Sequence, residues 1–178
     1  TTCPAVGIPD YTGDVTLFTP PTVRTADAID VTATMTNVRT TCDDTGEKVY
    51  AIANFDVFAQ RRDTRGARTV QLPYFSAVVR GGDAVTAKRL GMVTLTFADG
   101  QARAQASAAG AAYVDKASAT LPPDIRERIT RKRKSGEAEA AIDPLSEPDI
   151  RAALARANFE LLVGFQLSND QLAYNATR

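Results

Sequence analysis

Apolar and polar residues alternate along much of the first two thirds of the chain. In residues 29–38 the odd positions are apolar as far as Met35, and the even positions are acidic or hydroxylated as far as Thr36. In residues 48–61 the odd positions are again apolar as far as Ala59, whereas the even positions are mixed. A period of two places alternate side chains on opposite faces of a β-strand. The pattern therefore predicts two half-buried strands, and the turn residues at 43–46 predict that they form a hairpin.

Shorter apolar runs between turn residues predict further strands, over residues 15–18, 69–80, 85–97 and 101–114. Pro73 predicts an edge strand or a bulge, because proline cannot donate a backbone hydrogen bond, and Gly91 predicts a bulge. The last of these runs is rich in alanine, which favours helix, but its alternation with polar residues favours a strand against a tight partner. We expect that strand to pair with residues 93–97.

The pattern then becomes helical. We predict helices over residues 125–134 and 150–157. The second is preceded by Ser146-Glu147-Pro148-Asp149, which has the spacing of a capping box with proline in the first turn. Strand character returns over residues 159–167, and Ser168 or Asn169 would cap a final helical turn.

These elements predict the architecture. We expect a mainly β chain, an immunoglobulin-like antiparallel β-sandwich with a helical insertion before the last strand. It would be one domain, with residues 1–120 as the sandwich body, residues 121–158 as the helical segment, and residues 159–178 as a final strand and C-terminal turn that return to the body. Greek-key topologies permit the long connection that this requires.

The composition argues against several kinds of chemistry. The 178 residues include no histidine, which removes Ser-His-Asp and Cys-His nucleophilic sites and histidine zinc sites. No glycine-rich phosphate loop is present. The 21 basic and 21 acidic residues give a formal net charge of zero, which argues against a nucleic-acid partner. We therefore expect no catalytic residues, no metal and no cofactor.

Cys3 and Cys42 are the two cysteines of the chain. In an oxidising compartment such as the periplasm we expect them to form a disulfide, worth roughly 3 to 4 kcal/mol for a loop of about 40 residues. The chain begins at Thr1 rather than Met, which we interpret as either a processed mature protein or a shortened chain. No apolar run is long enough to span a bilayer.

Two surfaces could contact a partner. The first is the densest run of charged residues, whose cations could contact anionic lipid headgroups or an acidic protein. It consists of Arg126, Arg128, Arg131, Lys132, Arg133 and Lys134. A solvated helix end is the alternative interpretation. Tyr74 and Phe75 could form a platform for a carbohydrate or peptide, or could pack in the core.

Two loops also allow either a binding role or a solvated structure. The basic hairpin tip at residues 61–68 could be solvated or could contact a partner. Asp43, Asp44 and Glu47 could supply oxygen ligands to calcium, although their spacing matches no EF-hand loop, or could form a solvated turn.

Three short motifs carry a resemblance to known proteins. They are Thr36-Asn37-Val38-Arg39-Thr40-Thr41-Cys42, Leu72-Pro73-Tyr74-Phe75 and Val163-Gly164-Phe165-Gln166-Leu167. With the early Cys3-Pro4, the chain resembles a group of small exported, lipoprotein-like proteins of alphaproteobacteria. The resemblance implies an envelope location and a β-rich fold, and carries no catalytic residue across. A lipid-bearing cysteine would be the first residue of the mature chain, whereas Cys3 follows two threonines.

The expected function is therefore non-catalytic. We expect a cell-envelope binding or scaffolding protein, periplasmic or associated with the outer membrane, that acts as an accessory subunit of a membrane-associated assembly. It would have a protein partner, with peripheral membrane contact as a further possibility. The alternative is a periplasmic module that binds a glycan or another small ligand.

Overall fold

The computed structural model describes residues 2–131 and 143–178, and this part of the chain is mainly β. Its strands are β1 (Ala5–Gly7), β2 (Asp14–Phe18), β3 (Ile29–Asp43), β4 (Lys48–Arg61), β5 (Arg68–Arg80), β6 (Ala84–Phe97), β7 (Arg103–Asp115) and β8 (Phe159–Phe165). The predicted hairpin of residues 29–38 and 48–61 is confirmed, since β3 and β4 are antiparallel neighbours.

The strands form two sheets of four. The first sheet has the order β1-β8-β5-β6, and the second has the order β2-β3-β4-β7. β8 returns from the far end of the chain to lie between β1 and β5, and its pairing with β1 is parallel. The other strand pairs are antiparallel.

Both sheets bury one face in a common apolar cluster. Along β4 every odd residue from Val49 to Ala59 is buried, as the alternating pattern predicts. The largest side chains with almost no exposure are Phe55 from the second sheet and Leu95, Phe97 and Phe165 from the first.

β7 does not have the predicted partner. It pairs along its length with β4, from Asp115 opposite Lys48 to Arg103 opposite Gln60, whereas residues 93–97 pair with β5. Alternation determines which face of a strand is buried but not which strand lies beside it. The sequence also predicted close packing of this strand. Such packing occurs at Gly110, because a Cβ there would lie 2.5 Å from the Cβ of Ser76.

Pro73 and Gly91 also differ from the prediction. β5 lies between β8 and β6, so Pro73 is not on an edge strand, and the register shift of the β5–β6 pair lies opposite Val78 and Val79, with Thr86 of β6 as the extra residue. The pairing of β5 with β8 starts only at Tyr74, which is why the missing N–H of proline is tolerated. Gly91 sits in regular pairing with Tyr74 and is not a bulge.

Three helices occur in the described residues: α1 (Pro123–Thr130), α2 (Pro148–Ala157) and α3 (Asn169–Thr177). The first two share a small apolar cluster of their own, formed by Ile125, Ile150 and Ala153. Ser146 does not cap α2 as predicted. It ends a short 3-10 turn and donates its hydroxyl to the Asp143 carbonyl, and Glu147 takes the N-cap position without a side-chain bond.

The predicted C-terminal turn is a complete helix. The Ser168 hydroxyl accepts a hydrogen bond from the backbone N–H of Gln171, and the Gln171 side chain accepts one from the N–H of Ser168, so the two residues form a capping box.

The predicted disulfide is confirmed. Cys3 and Cys42 are bonded, with Cα atoms 6.2 Å apart. The bond joins the start of the chain to the last residues of β3, and so fixes the N-terminus beside the short strand β1.

Candidate binding surfaces

The most exposed part of the sheets is the first half of β6. Residues 84–90 are all exposed, while Val93, Leu95 and Phe97 in the second half are buried. β6 is the last strand of its sheet and pairs only with β5 within the part of the chain that the structure describes. One side of its backbone therefore has hydrogen-bonding groups that no other described strand pairs with.

Apolar side chains line the outer face of this strand. Leu90 and Met92 lie on the face opposite to buried Val93 and Leu95, and they are 67% and 54% exposed. Val85 is 61% exposed but lies apart from these two, opposite Val79 and beyond the register shift at Thr86, with Lys88 between it and Leu90. We call the two adjacent residues Leu90 and Met92 the β6 patch. Adjacent exposed apolar residues mark interaction sites more often than single ones do.

The turn before β6 is formed by two glycines and is bonded to the end of α2. Gly81 and Gly82 both have positive φ, 68° and 89°, and such values are costly for residues with a Cβ. The backbone N–H of Gly81 donates to the Asn158 carbonyl, which ties this turn to the end of α2.

The structure places Tyr74 and Phe75 on opposite faces of β5. Tyr74 is half-buried, with its ring against Phe55 (centroids 5.2 Å apart) and its hydroxyl donating to the Ala109 carbonyl. Phe75 is half-buried on the outer face, where the Lys88 ammonium lies 5.4 Å from the centre of its ring. The two rings therefore do not share one surface.

Of the residues predicted to form a basic surface, Arg128 is engaged in contacts within the protein. Arg128 forms hydrogen-bonded ion pairs with Glu147 and Asp149, which join α1 to the start of α2. The pKa of Asp149 is lowered, mainly by this contact. Arg126 is exposed on α1 and Arg131 follows the helix directly. Lys132, Arg133 and Lys134 lie outside the described residues.

The basic hairpin tip is largely built into the fold. Arg61 is only 2% exposed; its guanidinium donates to the carbonyls of Thr64, Ala98 and Gln101 and lies over the ring of Phe97. The interpretation of a solvated tip is wrong for this residue, because position 61 continues the buried odd positions of β4.

The other arginines of the tip make contacts nearer the surface. Arg68 makes two 2.7 Å bonds to the Asp30 carboxylate, Arg65 pairs with Asp63, and Arg62 donates to backbone carbonyls at residues 26 and 27.

The acidic turn after β3 is also engaged. Asp43 accepts hydrogen bonds from the backbone and hydroxyl of Thr45, and Asp44 accepts one from the Thr2 hydroxyl. Among residues 2–131 and 143–178 no group of three potential metal-ligating side chains was found.

The outer face of the second sheet carries an ionised network. Asp56 accepts bonds from Asn37 and Ser107, each at 2.7 Å, and pairs with Arg39. These contacts, led by Asn37, lower its pKa. Further along the same face, the rings of Tyr50 and Tyr113 lie 4.5 Å apart.

The chain matches no protein-family model, no curated protein and no solved structure. In the part of the chain that is described, none of the helices combines the length and the apolar character needed to cross a membrane.

Proposed function

We propose that this chain is a non-catalytic binding or scaffolding protein of the cell envelope, an accessory subunit of a membrane-associated assembly. Its two sheets would form a β-sandwich of the immunoglobulin-like kind in architecture, with a strand order of its own. Proteins that share this architecture often differ in topology and in function, so the proposal depends on the surface rather than on the fold.

The observation that carries the proposal is the exposed edge of β6. Natural sheets protect their edges with charges, bulges or covering segments, because an open edge pairs with other chains. Here the part of β6 before Leu90 carries Lys88, Arg89 and a register shift, whereas the edge beside the β6 patch carries none of these. An extended segment of a partner protein can add to such an edge, with backbone hydrogen bonds supplying affinity and alternate side chains supplying specificity.

The charges of β6 indicate what the partner segment carries. The strand contains Lys88 and Arg89 and has no acidic residue. Lys88 is held over Phe75, beside the patch. We therefore propose an extended protein segment with apolar residues that contact Leu90 and Met92 and an acidic residue that faces Lys88. Opposite charges of this kind improve specificity and association rate.

The disulfide supports the proposed location. Disulfides persist in oxidising compartments such as the periplasm and are rare in the cytosol. The Cys3–Cys42 bond would form on export and would hold the N-terminal strand on the sheet. Cell fractionation tests this point: the protein is expected in the periplasmic or outer-membrane fraction, and recovery in the cytosolic fraction would contradict it.

The partner proposal can be tested by crosslinking in the native envelope. A photoreactive amino acid at position 90 should capture one protein in stoichiometric yield, and the same group at position 58 should not. Phe58 is a suitable control because it is also an exposed apolar residue, 47% exposed, but lies on β4 in the other sheet. The captured protein is then purified for direct binding measurements.

The affinities of variants for the purified partner test whether the β6 edge is the docking surface. Leu90→Lys with Met92→Lys should weaken binding of the purified partner at least about tenfold, as loss of a central apolar contact does. Phe58→Lys should leave binding unchanged. Equal capture from positions 58 and 90, or unchanged affinity of the double variant, would show that the β6 edge is not the docking surface.

A further inference from the structure

The outer face of the second sheet brings polar and aromatic side chains together. Alternation places Tyr50, Asn54 and Asp56 of β4 on this face, opposite to the buried odd positions of the strand. On β7, Tyr113 is paired with Tyr50, and Ser107 is paired with Asp56. The tyrosine pair and the carboxylate are therefore about 20 Å apart along the strands, which is the length of a short oligomer.

A bulge in β3 builds the polar part of this face. The register of β3 against β4 shifts between Thr36 and Arg39, and Asn37 within the shift has a positive φ of 52°. Asparagine adopts this left-handed conformation more readily than most residues. The Asn37 amide and the Arg39 guanidinium both donate to the Asp56 carboxylate. Bulges and uncommon backbone conformations of this kind concentrate at functional sites, where they redirect side chains.

Hydrogen-bonding groups remain available at this part of the face. Asn54 is half-buried and lies opposite Arg39 in the ladder, and its side-chain amide makes no hydrogen bond to another described residue. The Arg39 side chain is 51% exposed and carries more N–H donors than Asn37 and Asp56 accept from it. A ligand here would meet polar groups that the fold positions but does not fully use.

The aromatic part of the face is open to solvent. The rings of Tyr50 and Tyr113 lie 4.5 Å apart, and Tyr113 is 63% exposed. The next residues of β7 on this face are Ala111 and Ala109, so no large side chain of that strand separates the rings from Asn54. An exposed ring and fixed polar groups therefore share one continuous surface.

The charges of this surface favour an uncharged occupant. Arg39 pairs with Asp56 and Lys48 pairs with Asp115, so each pair cancels its own charge. The surface therefore has little net charge to attract an ionic ligand. A protein partner would require a dry, apolar centre, whereas the centre here is the polar group around Asn54. Sugar rings combine apolar C–H faces, which stack on aromatic rings, with hydroxyl groups that bond to amide and guanidinium groups.

We propose that the outer face of the second sheet binds a neutral, extended β-1,4-linked glycan. One sugar ring stacks on Tyr113, and hydroxyl groups further along the chain bond to Asn54 and Arg39. A β-1,4-linked chain is a flat ribbon that reaches both points, whereas an α-1,4-linked chain curves away from a flat surface. The β6 edge takes no part in this site.

Two isomeric oligosaccharides test the proposal. Cellohexaose and maltohexaose have the same composition and differ in the configuration of their linkages. In calorimetric titrations of the full chain, cellohexaose should bind with a dissociation constant on the order of 0.1 mM, and maltohexaose at least about tenfold more weakly. In proton–nitrogen NMR spectra the shifts caused by cellohexaose should be centred on Asn54, Ser107 and Tyr113.

Variants separate the ring from the polar group. Tyr113→Ala should weaken cellohexaose binding about fivefold or more, and Tyr113→Phe should retain it, because stacking needs the ring. Asn54→Ala should weaken binding about fivefold, which corresponds to one ordinary hydrogen bond. Its stability in urea should stay unchanged, since the amide has no partner among the described residues. Val85→Ala is the control, because Val85 is similarly exposed, 61%, on the first sheet.

Three results would overturn the proposal: no saturable binding of cellohexaose, equal affinity for the two oligosaccharides, or full binding by both Tyr113→Ala and Asn54→Ala. A photoreactive group at position 113 that captures a protein, with no binding of cellohexaose, would assign this face to a protein interface and would also overturn it. Loss of partner binding through the β6 edge would change none of these measurements, so the two proposals fail independently.

Discussion

The Tyr74 hydroxyl donates a hydrogen bond to the Ala109 carbonyl at 2.9 Å, and this bond joins β5 of the first sheet to β7 of the second. The ring reaches across because Gly91 lies directly beneath it. A Cβ on Gly91 would lie 2.5 Å from Cζ of Tyr74. The absence of a side chain at position 91 therefore makes room for this contact between the sheets.

Gly91→Ala should lower the free energy of unfolding by about 1 to 3 kcal/mol, because the ring of Tyr74 must move and lose its bond. Urea denaturation provides the measurement. Gly46→Ala is the matched control, since nothing lies within 4 Å of a Cβ there. In a Tyr74→Ala background the cost of Gly91→Ala should fall sharply, and additive costs would show that the two positions are not coupled.

Removal of the disulfide should be costly. The bond spans 39 residues, and a loop of that size corresponds to about 4 kcal/mol in the chain-entropy model. Cys3→Ser with Cys42→Ser should lower the free energy of unfolding by about this amount, measured in urea without reductant. Dithiothreitol should destabilise the native protein to the same level and leave the double variant unchanged. A native protein that is insensitive to complete reduction would contradict this account.

Acid should weaken the contact between β3 and β5. The hydrogen bonds from Arg68 hold the pKa of Asp30 below its ordinary value of 3.8. A carboxyl with a lowered folded pKa stabilises the fold above its unfolded pKa and loses that contribution as the pH falls through the folded value. The benefit should therefore be complete at pH 6 and decline below about pH 4.

Asp30→Asn isolates this contribution from those of other carboxylates with lowered pKa values. Its destabilisation relative to the native protein should be largest at neutral pH and should shrink by pH 3, as measured by urea denaturation at each pH. An equal difference at pH 7 and pH 3 would show that Asp30 acts through packing rather than charge.

The alternation of residue types was enough to predict most of the strands, but β1 was not predicted and β3 runs beyond its predicted end at residue 38. β4 has the predicted bounds, and β5 and β6 each begin one residue earlier than predicted. The partner of β7 could not be predicted, because alternation fixes which face of a strand is buried and not which strand lies beside it. The close approach of Gly110 to Ser76 is a contact between the two sheets and does not determine this pairing. The position of β6 at the edge of its sheet could not be predicted either, since alternation does not reveal the order of strands in a sheet.

The strand against which α3 packs could not be predicted for a related reason. The helix contacts β2, and the Asn175 side chain donates to the Asp14 carbonyl, across a separation of 161 positions that no local pattern encodes. Arg61 is different, because a signal was present. It occupies the next odd position after Ala59, and extending the period of two by one step would have predicted its burial.

Arg61 should be among the most sensitive charged residues of the chain. Its guanidinium reaches three separate carbonyls, at 2.8 to 2.9 Å, and also contacts the Phe97 ring at 5.1 Å. An ammonium cannot replace this, because lysine lacks the planar fork that addresses several acceptors at once. Arg61→Lys should lower the free energy of unfolding by about 3 kcal/mol, since it leaves a buried charge and buried carbonyls poorly paired.

Arg65→Lys provides the control for that measurement. Its side chain is 90% exposed and pairs with Asp63 at the surface, where ion pairs contribute little to stability. Urea denaturation should therefore show a much larger loss of stability for Arg61→Lys than for Arg65→Lys. Equal stabilities for Arg61→Lys and Arg65→Lys would mean that the guanidinium of Arg61 is solvated, and that the loops at residues 62–67 and 98–102 are held together by other contacts.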